Sequence, residues 1–328
     1  MSNQEDILFE ENNHWGVITL NRPTVLNALN HTMVAALYNK LNEWKAASHI
    51  QAVLIRAAEG RAFCAGGDLR TTYEHRLQHD IHLIDFFREE YHLNRCIFHF
   101  PKPYVALLDG ITMGGGVGIS IHGSHRVATE NLLFAMPETG IGFFPDVGGT
   151  YFLPRLPGRT GFYLGLTGAR LHADDCLKLG IAHEKVRHAT LPDLVQALLH
   201  ADLSTQPHEV ITQVIHGFHA PREESSIHRH QFEIDTYFSK PTVEAILHGL
   251  ASSPHAWCQE VLAVMQTKSP TSLKVTLHAL QQGKELAFDA CMQMEYRLAY
   301  RFLQAHDFAE GIRAVIIDKD QAPHWRPS

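Results

Sequence analysis

The stretch KPYVALLDGITMGGGVGIS, residues 102–120, decides the fold class. YVALLDG is a short apolar run that reads as a buried strand, and TMGGGVGISIHG runs from a glycine turn into a helix. Upstream, AVLIRA (52–57) is a second buried strand, and GRAFCAGGDL follows it as a small-residue loop. Two further strands, ILFEE and WGVITLN, open the chain about the polar turn Asn12–Asn13. Pro23 ends the second of them, because proline cannot continue a ladder. From Asn30 to Ala47 the spacing is helical, with Met33, Leu37, Leu41 and Trp44 on one side. A second amphipathic helix is expected from Ile81 to about Phe98, with Ile84, Phe87, Tyr91 and Ile97 or Phe98 inward. HRVATE and LLFAM read as strands.

Strand and helix thus alternate to about residue 190, which gives α/β architecture. Beyond it the pattern is helical: LPDLVQALLH, HEVITQVIHGF, TVEAILHGL, AWCQEVLAVMQ and a long run from Ser272 to Leu303, with PREESS as a polar interruption. The expected division is a core over residues 1–200 and a helical region over 201–328. The helical region would serve as an oligomer contact or fold over the site.

The totals narrow the function classes. A chain of 328 residues with 45% hydrophobic and 19% charged residues is an ordinary globular composition. No apolar run reaches the roughly 18 residues that span a bilayer. The first twenty residues hold acids and no Lys or Arg, unlike a secretory signal or an organelle transit peptide. A cytoplasmic protein is expected, or a mitochondrial-matrix protein from which a leader has been removed. Five scattered cysteines without a CxxC pair argue against a disulfide frame or a cysteine–zinc site. A net charge of −7 argues against general nucleic-acid binding. Among 24 histidines, His75, His79 and His82 would share a face if they lay on one helix, but no acid completes a metal site there. HEKVRH (183–188) has one residue too many for HExxH. No metal is expected.

Two small-residue loops each follow a buried strand: CAGGD (64–68) and MGGGVG (113–118). Neither matches GxGxxG, and GxxxxGK[ST] is absent, so phosphate cradling is a weak reading. Both can be tight turns. They can equally present backbone amides closely to a ligand, since glycine has no Cβ in the way. Two such amides on one oxygen make an oxyanion hole, worth roughly 2.7–4 kcal/mol per donor. AMPETGIGFFPDVGG (135–149) then sets two acids, Glu138 and Asp146, among apolar residues, Pro and Gly.

NRPTVLNALN, RAFCAGGDL, KPYVALLDGITMGGGVGIS and FAMPETGIGFFPDVGGTYFLPRL, in this order and spacing, resemble the crotonase (enoyl-CoA hydratase/isomerase) superfamily. SPTSLKVT (269–276) and DFAEGIRAVIIDKDQAPHW (307–325) extend the resemblance toward its 3-hydroxyisobutyryl-CoA hydrolase subfamily. The resemblance implies a crotonase-like ββα spiral core and an acyl-CoA thioester substrate. Coenzyme A would be part of that substrate, with no separate cofactor, and a homo-oligomer is expected. It assigns the oxyanion-hole amides to Gly67 and Gly115. Backbone contacts to CoA fall to Val25, Leu26, Asn27 and Ala65.

Hydratases of this superfamily carry a glutamate where this chain has Gly118, and a second one matching Glu138. Loss of the first acid, with Asp146 supplied eight residues after Glu138, is the hydrolase pattern. The resemblance implies hydrolysis of a short β-hydroxyacyl-CoA in valine catabolism, with Glu138 and Asp146 as the catalytic carboxylates. Glu138 would attack the carbonyl to form an anhydride, or deprotonate water. No histidine is needed if burial raises the carboxylate's basicity, and Phe143, Phe144 and Pro145 would supply a dry wall. Glu90 matches a substrate-contacting position that could bond the acyl hydroxyl. Bland alternatives stand beside each: Glu138 as a capping or salt-bridging acid, Asp146 as a cap of the next helix, and Glu90 exposed and paired with Arg88 or His92. Two other functions are open: an enoyl-CoA hydratase or isomerase, and a non-catalytic acyl-CoA-binding protein.

Overall fold

The structure is a computed structural model that describes residues 5–78 and 82–327. His79 of the histidine group, and Ile81 at the expected start of the second helix, lie outside the described residues. The strands are β1 (Ile7–Asn12), β2 (Trp15–Leu20), β3 (Ala52–Ala57), β4 (Ala62–Cys64), β5 (Tyr104–Leu108), β6 (Ile111–Met113), β7 (His125–Thr129), β8 (Leu133–Ala135) and β9 (Glu184–Val186). A six-stranded sheet has the order β1-β2-β3-β5-β7-β9, and a three-stranded sheet the order β4-β6-β8. After the antiparallel β1–β2 hairpin, successive strands go alternately to the large and the small sheet. Pairing in the large sheet is parallel from β2 onward. This is the spiral alternation implied by the resemblance. The short strands β4 and β6 fall where the sequence reads only loop or glycine turn. Three residues are too few to show a period of two.

Helices connect the strands: α1 (His31–Ala46), α2 (Leu69–Leu77), α3 (Leu83–Phe98), α4 (Gly115–Gly118), α5 (Gly149–Phe152), α6 (Thr160–Thr167) and α7 (Ala173–Lys178). Then follow α8 (Leu191–His200), α9 (Pro207–His216), α10 (Gln231–Tyr237), α11 (Val243–Ala251), α12 (Ala256–Gln266), α13 (Pro270–Gly283), α14 (Phe288–Phe302) and α15 (His306–Ile312). Asn30 caps α1 by accepting from the Met33 amide at 2.8 Å, and Met33, Leu37, Leu41 and Trp44 are fully buried as the spacing predicts. The long run expected from Ser272 to Leu303 is two helices, broken after Gly283. A Cβ on Gly283 would collide with the backbone of Thr150, so this position takes no larger residue.

Contacts divide the chain into two compact units. One comprises Met1–Gly67, His92–Phe134 and Leu171–Ser225; the other Asp68–Tyr91, Ala135–Arg170 and Ser226–Ser328. In the first, one face of the large sheet presents Trp15, Val17, Ala52, Leu54, Val105, Leu107, Val127 and Val186 to Leu194, Leu198, Ile211 and Ile215. Helices α8 and α9 therefore close the same core. Packing divides the chain differently from a cut at residue 200, because the apolar stripe of α9 belongs to the sheet's own core. In the second unit, α5, α6 and the helices from α10 onward pack together.

Candidate active site

The glycine loops lie in the first unit. Strand β4 pairs in parallel with β6, which brings the loops that follow them side by side. A methyl placed on Gly66 would lie 3.4 Å from the Met113 carbonyl oxygen and 3.7 Å from the Gly115 nitrogen. Gly66 itself has φ +111°, a conformation that L side chains rarely adopt. Gly67 faces Leu29 across an isolated parallel bridge, and the Leu29 amide donates to the Gly66 carbonyl at 2.8 Å. Gly115 is the first residue of α4, so its amide has no carbonyl earlier in that helix to bond. The helix is a single turn of four residues ending at Gly118, shorter than the sequence suggests, so its dipole is small.

The segment assigned to CoA is locked to these loops. The Ala65 amide donates to the Leu26 carbonyl at 3.0 Å. Leu26 and Asn27 both have left-handed φ, at 55° and 54°. Asn27 is buried and holds that geometry: its Oδ1 accepts from the Arg22 amide at 2.8 Å, and its Nδ2 donates to the Ala62 carbonyl at 2.9 Å. Its side chain is thereby occupied, while Val25 is exposed.

The acids lie in the second unit, and all of them are buried. Glu138 begins a 3₁₀ turn, Glu138–Ile141, pinned on several sides. Thr139 Oγ1 donates to the Leu166 carbonyl, and the Ser269 amide donates to the Thr139 carbonyl at 3.3 Å. Glu138 is 6% exposed, and its Oε2 has no hydrogen-bond partner among the described residues. It is buried rather than in a surface salt bridge, and the N-cap of its turn is Pro137. Asp146 Oδ2 accepts from the Tyr91 hydroxyl at 2.6 Å. The Asp146 side chain does not cap α5, whose N-cap is Gly148. Glu295 of α14 takes that role instead: it accepts from the Gly148 amide at 2.8 Å, the Thr150 amide at 3.0 Å and the Thr150 hydroxyl at 2.6 Å. Glu90 is 3% exposed with one oxygen unpaired among the described residues, and Arg88 pairs with Asp85 at 2.9 Å rather than with it.

The electrostatics follow from this burial. Desolvation pushes the Glu138 carboxyl well above the usual range, and the nearby charge of Asp146 adds to it. Burial lifts Asp146 to about 7, against the Tyr91 hydrogen bond, which favours its anion. Glu90 is likewise raised, by burial first and then by Asp146 and Glu295. Burial raises Glu295 to about 8, opposed by the bonds from Thr150 and Gly148. Asp146 and Glu295 are thereby brought near neutrality, while Glu138 and Glu90 are displaced well above the ordinary carboxylate range. Shifts of this kind suit groups that do acid–base work.

The dry wall is aromatic. Phe143 and Phe144 are buried, and the Phe143 ring meets Phe87 at 5.6 Å, Phe302 at 5.5 Å and Phe308 at 4.8 Å between centroids. Helices α14 and α15 therefore supply part of the wall beside the acid-bearing loop. The turn after Asp146 is strained: Val147, a β-branched residue, has φ 49°, and Gly148 has φ 89°. Such a position costs about 1–3 kcal/mol. The three bonds that Glu295 accepts from Gly148 and Thr150 hold the chain in that conformation. Among the described residues, no group of three or more His, Cys, Asp or Glu could hold a metal ion.

A family profile described as enoyl-CoA hydratase/isomerase matches residues 15–328. The chain belongs to that family. Curated relatives named 3-hydroxyisobutyryl-CoA hydrolase, mitochondrial, match nearly the whole chain. The Rattus norvegicus protein is 46% identical over 98% of this chain and 85% of its own length. The Homo sapiens protein is 46% identical over 99% of this chain and 85% of its own. Among solved structures, an enoyl-CoA hydratase from Rhodobacter sphaeroides 2.4.1 superposes with a TM-score of 0.90 at 40% identity, over 98% of this chain and 92% of that one. A carnitinyl-CoA dehydratase from Mycobacterium thermoresistibile gives a TM-score of 0.91 at 35% identity, over 99% and 92%.

In this member of the enoyl-CoA hydratase/isomerase family, two residues beside the acids escape the sequence reading. Tyr91 registers there only as an inward aromatic, because nothing local links it to Asp146, 55 residues away. Glu295 does leave a signal. It sits on the apolar stripe Phe288, Cys291, Glu295, Ala299, Phe302 of α14, at spacings of three and four, all of them buried. An acid in such a stripe is costly unless it bonds to something inside.

Proposed function

We propose that this chain is a thioester hydrolase acting on a short β-hydroxyacyl-CoA, converting 3-hydroxyisobutyryl-CoA and water to 3-hydroxyisobutyrate and CoA. Relatives of that name, matched over nearly the whole chain, support the substrate. The observation that carries the chemistry is the buried Glu138 carboxyl, raised in pKa and with Oε2 unpaired by the described residues. In this reading the amides of Gly67 and Gly115 receive the oxyanion, and backbone of Val25, Leu26, Asn27 and Ala65 contacts CoA. Glu138 attacks the thioester carbonyl or activates water against it. Attack forms a C–O bond and the oxyanion, whose collapse breaks the C–S bond and expels the CoA thiolate. On the route through Glu138, water then opens the acyl–Glu138 anhydride to release the acid and free the carboxylate. Asp146 handles the proton of water or of the departing thiol, and Glu90 bonds the acyl hydroxyl. Gly118 leaves clear the position that a second catalytic glutamate fills in hydratases. Coenzyme A enters as part of the substrate, with no other cofactor.

A hydratase reading draws support from the name of the Rhodobacter sphaeroides structure. Gly118 speaks against it, because water addition across C=C in this superfamily uses the missing glutamate. Free-thiol release from 3-hydroxyisobutyryl-CoA, 3-hydroxypropionyl-CoA and related thioesters, assayed against hydration of crotonyl-CoA, separates the two. Thiol release is expected to dominate. Glu138→Gln is expected to lose at least about 1,000-fold in kcat while retaining CoA binding. Near-normal turnover in that variant would remove the assignment. We further propose a homo-oligomer, checked by light scattering. For the compartment we propose the cytoplasm or the mitochondrial matrix, the relatives' names supporting the second.

A further inference from the structure

We infer that Glu295 is a positioning residue for this hydrolysis, holding the Val147–Gly148–Gly149 turn that sets the direction of the Asp146 carboxylate. The inference rests on the reading of Asp146 given above. The chain runs directly from Asp146 through the left-handed Val147 and Gly148 to Thr150. Within this turn the Gly149 amide donates back to the Asp146 carbonyl at 2.6 Å. Glu295 grips the far side of the same turn at Gly148 Oε2-to-amide and at both donors of Thr150. Tyr91 holds the carboxylate end. Asp146 is thus fixed from both sides, by residues from α3 and α14.

An ordinary cap does not explain this arrangement. Elsewhere the chain caps its helices with short local residues: Asn30 on α1, Thr242 on α11 and Ser269 on α13. Helix α5 is four residues long, and nothing in so short a turn requires a fully buried acid from 145 residues away. Burying a carboxyl is unfavourable, so its retention points to the geometry of the turn itself. The Thr150 hydroxyl can accept as well as donate, so it satisfies Glu295 in either protonation state. The titratable groups that face Glu295 are Asp146, Glu138 on its 3₁₀ turn, Glu90 and Tyr91 on α3, and Cys291 one turn earlier on α14.

The test compares Glu295→Ala and Glu295→Gln with the wild type in the thiol-release assay across pH. Glu295→Ala is expected to lower kcat by about 100-fold, with KM and CoA inhibition within about threefold, as misplacement of a reacting group does. Glu295→Gln keeps one acceptor oxygen for Gly148 or Thr150 but sets an NH2 against the other amide, so it is expected to lose less kcat than Glu295→Ala while falling below the wild type. Its pH midpoint should lie below the wild type's, since a titrating neighbour has gone. A kcat within twofold of wild type in Glu295→Ala overturns the inference. So does an unchanged pH midpoint in Glu295→Gln, which keeps its bearing even if the Ala variant fails to fold. If the wild type releases no thiol, the functional reading has failed by itself. The inference then stands or falls on ¹³C-carboxyl NMR: the Asp146 titration should move in Glu295→Gln, and an unmoved titration rules the inference out.

Discussion

The Tyr91 hydroxyl donates to Asp146 Oδ2 at 2.6 Å, with both side chains buried. A phenol and a carboxylate in a dry environment form a strong, charge-assisted bond, and each perturbs the other. The bond lowers the Asp146 pKa against its desolvation, while the carboxylate helps to raise that of Tyr91.

Tyr91→Phe should therefore raise the Asp146 pKa above about 7. Less of the carboxylate exists at neutrality, so the pH midpoint of activity moves upward and kcat at pH 7 falls by roughly tenfold. A kcat/KM profile from pH 5 to 9 reads the shift. A midpoint that stays put would disconnect this bond from catalysis.

Stability should decline as pH rises. Asp146 and Glu295 have folded-state pKa values of about 7 and about 8, above those of exposed carboxyls. Between the unfolded and folded values the native state keeps protons that the unfolded chain releases. Their contribution is thus fully present below about pH 4 and lost as pH climbs through 7 to 8. Thermal unfolding should show a fall in Tm of roughly 5 °C across this window attributable to these groups, reduced in Glu295→Gln. An equal slope in wild type and variant contradicts the assignment.

Phe143→Ala should open the aromatic wall. The ring packs against Phe87, Phe144, Phe302 and Phe308, so its removal should cost about 3–5 kcal/mol in urea unfolding. Water reaching the acid loop should also lower the raised Glu138 pKa, since burial is its main cause. An acid-shifted pH–rate profile in the folded variant checks the second effect.

Gly116→Ala should be far worse than its single methyl suggests. The added Cβ would overlap the Cys64 carbonyl oxygen and lie 2.8 Å from the Cys64 Cβ, where the small sheet meets α4. Overpacking against backbone should cost at least about 3 kcal/mol. Gly180→Ala, with φ +74° and no atom within 4 Å of the new methyl, should cost only about 1–2 kcal/mol. Chemical denaturation of the pair gives the comparison.

The long parallel strands and the amphipathic helices were readable because their signals are local. An unbroken apolar run such as Tyr104–Leu108 can be buried on both faces only in a covered sheet, and α1 shows its buried side at every third or fourth residue. Strands β4, β6 and β9 were not readable, because three residues carry no period and, unlike β8 within the apolar run LLFAM, they sit beside glycines or charged residues. The break after Gly283 did leave a local mark, the glycine itself, but the Thr150 backbone contact that forbids a side chain there lies far away in sequence. The cut at residue 200 misses α9, since a helical stripe does not say which core it fills.

For the site, the order of residues along the chain was enough to show which residue types were present: the glycines of two loops, glycine at 118, and two acids in an apolar segment. These need only the chain's own order to be recognised. Tertiary structure alone decided that the acids are buried, that Tyr91 holds Asp146, and that Glu295 holds the turn behind it. The partners lie 55 and about 145 residues apart, and no local propensity encodes a hydrogen bond across such a separation. Proton affinity, in turn, is set by how much water the folded chain excludes, which residue identity does not carry.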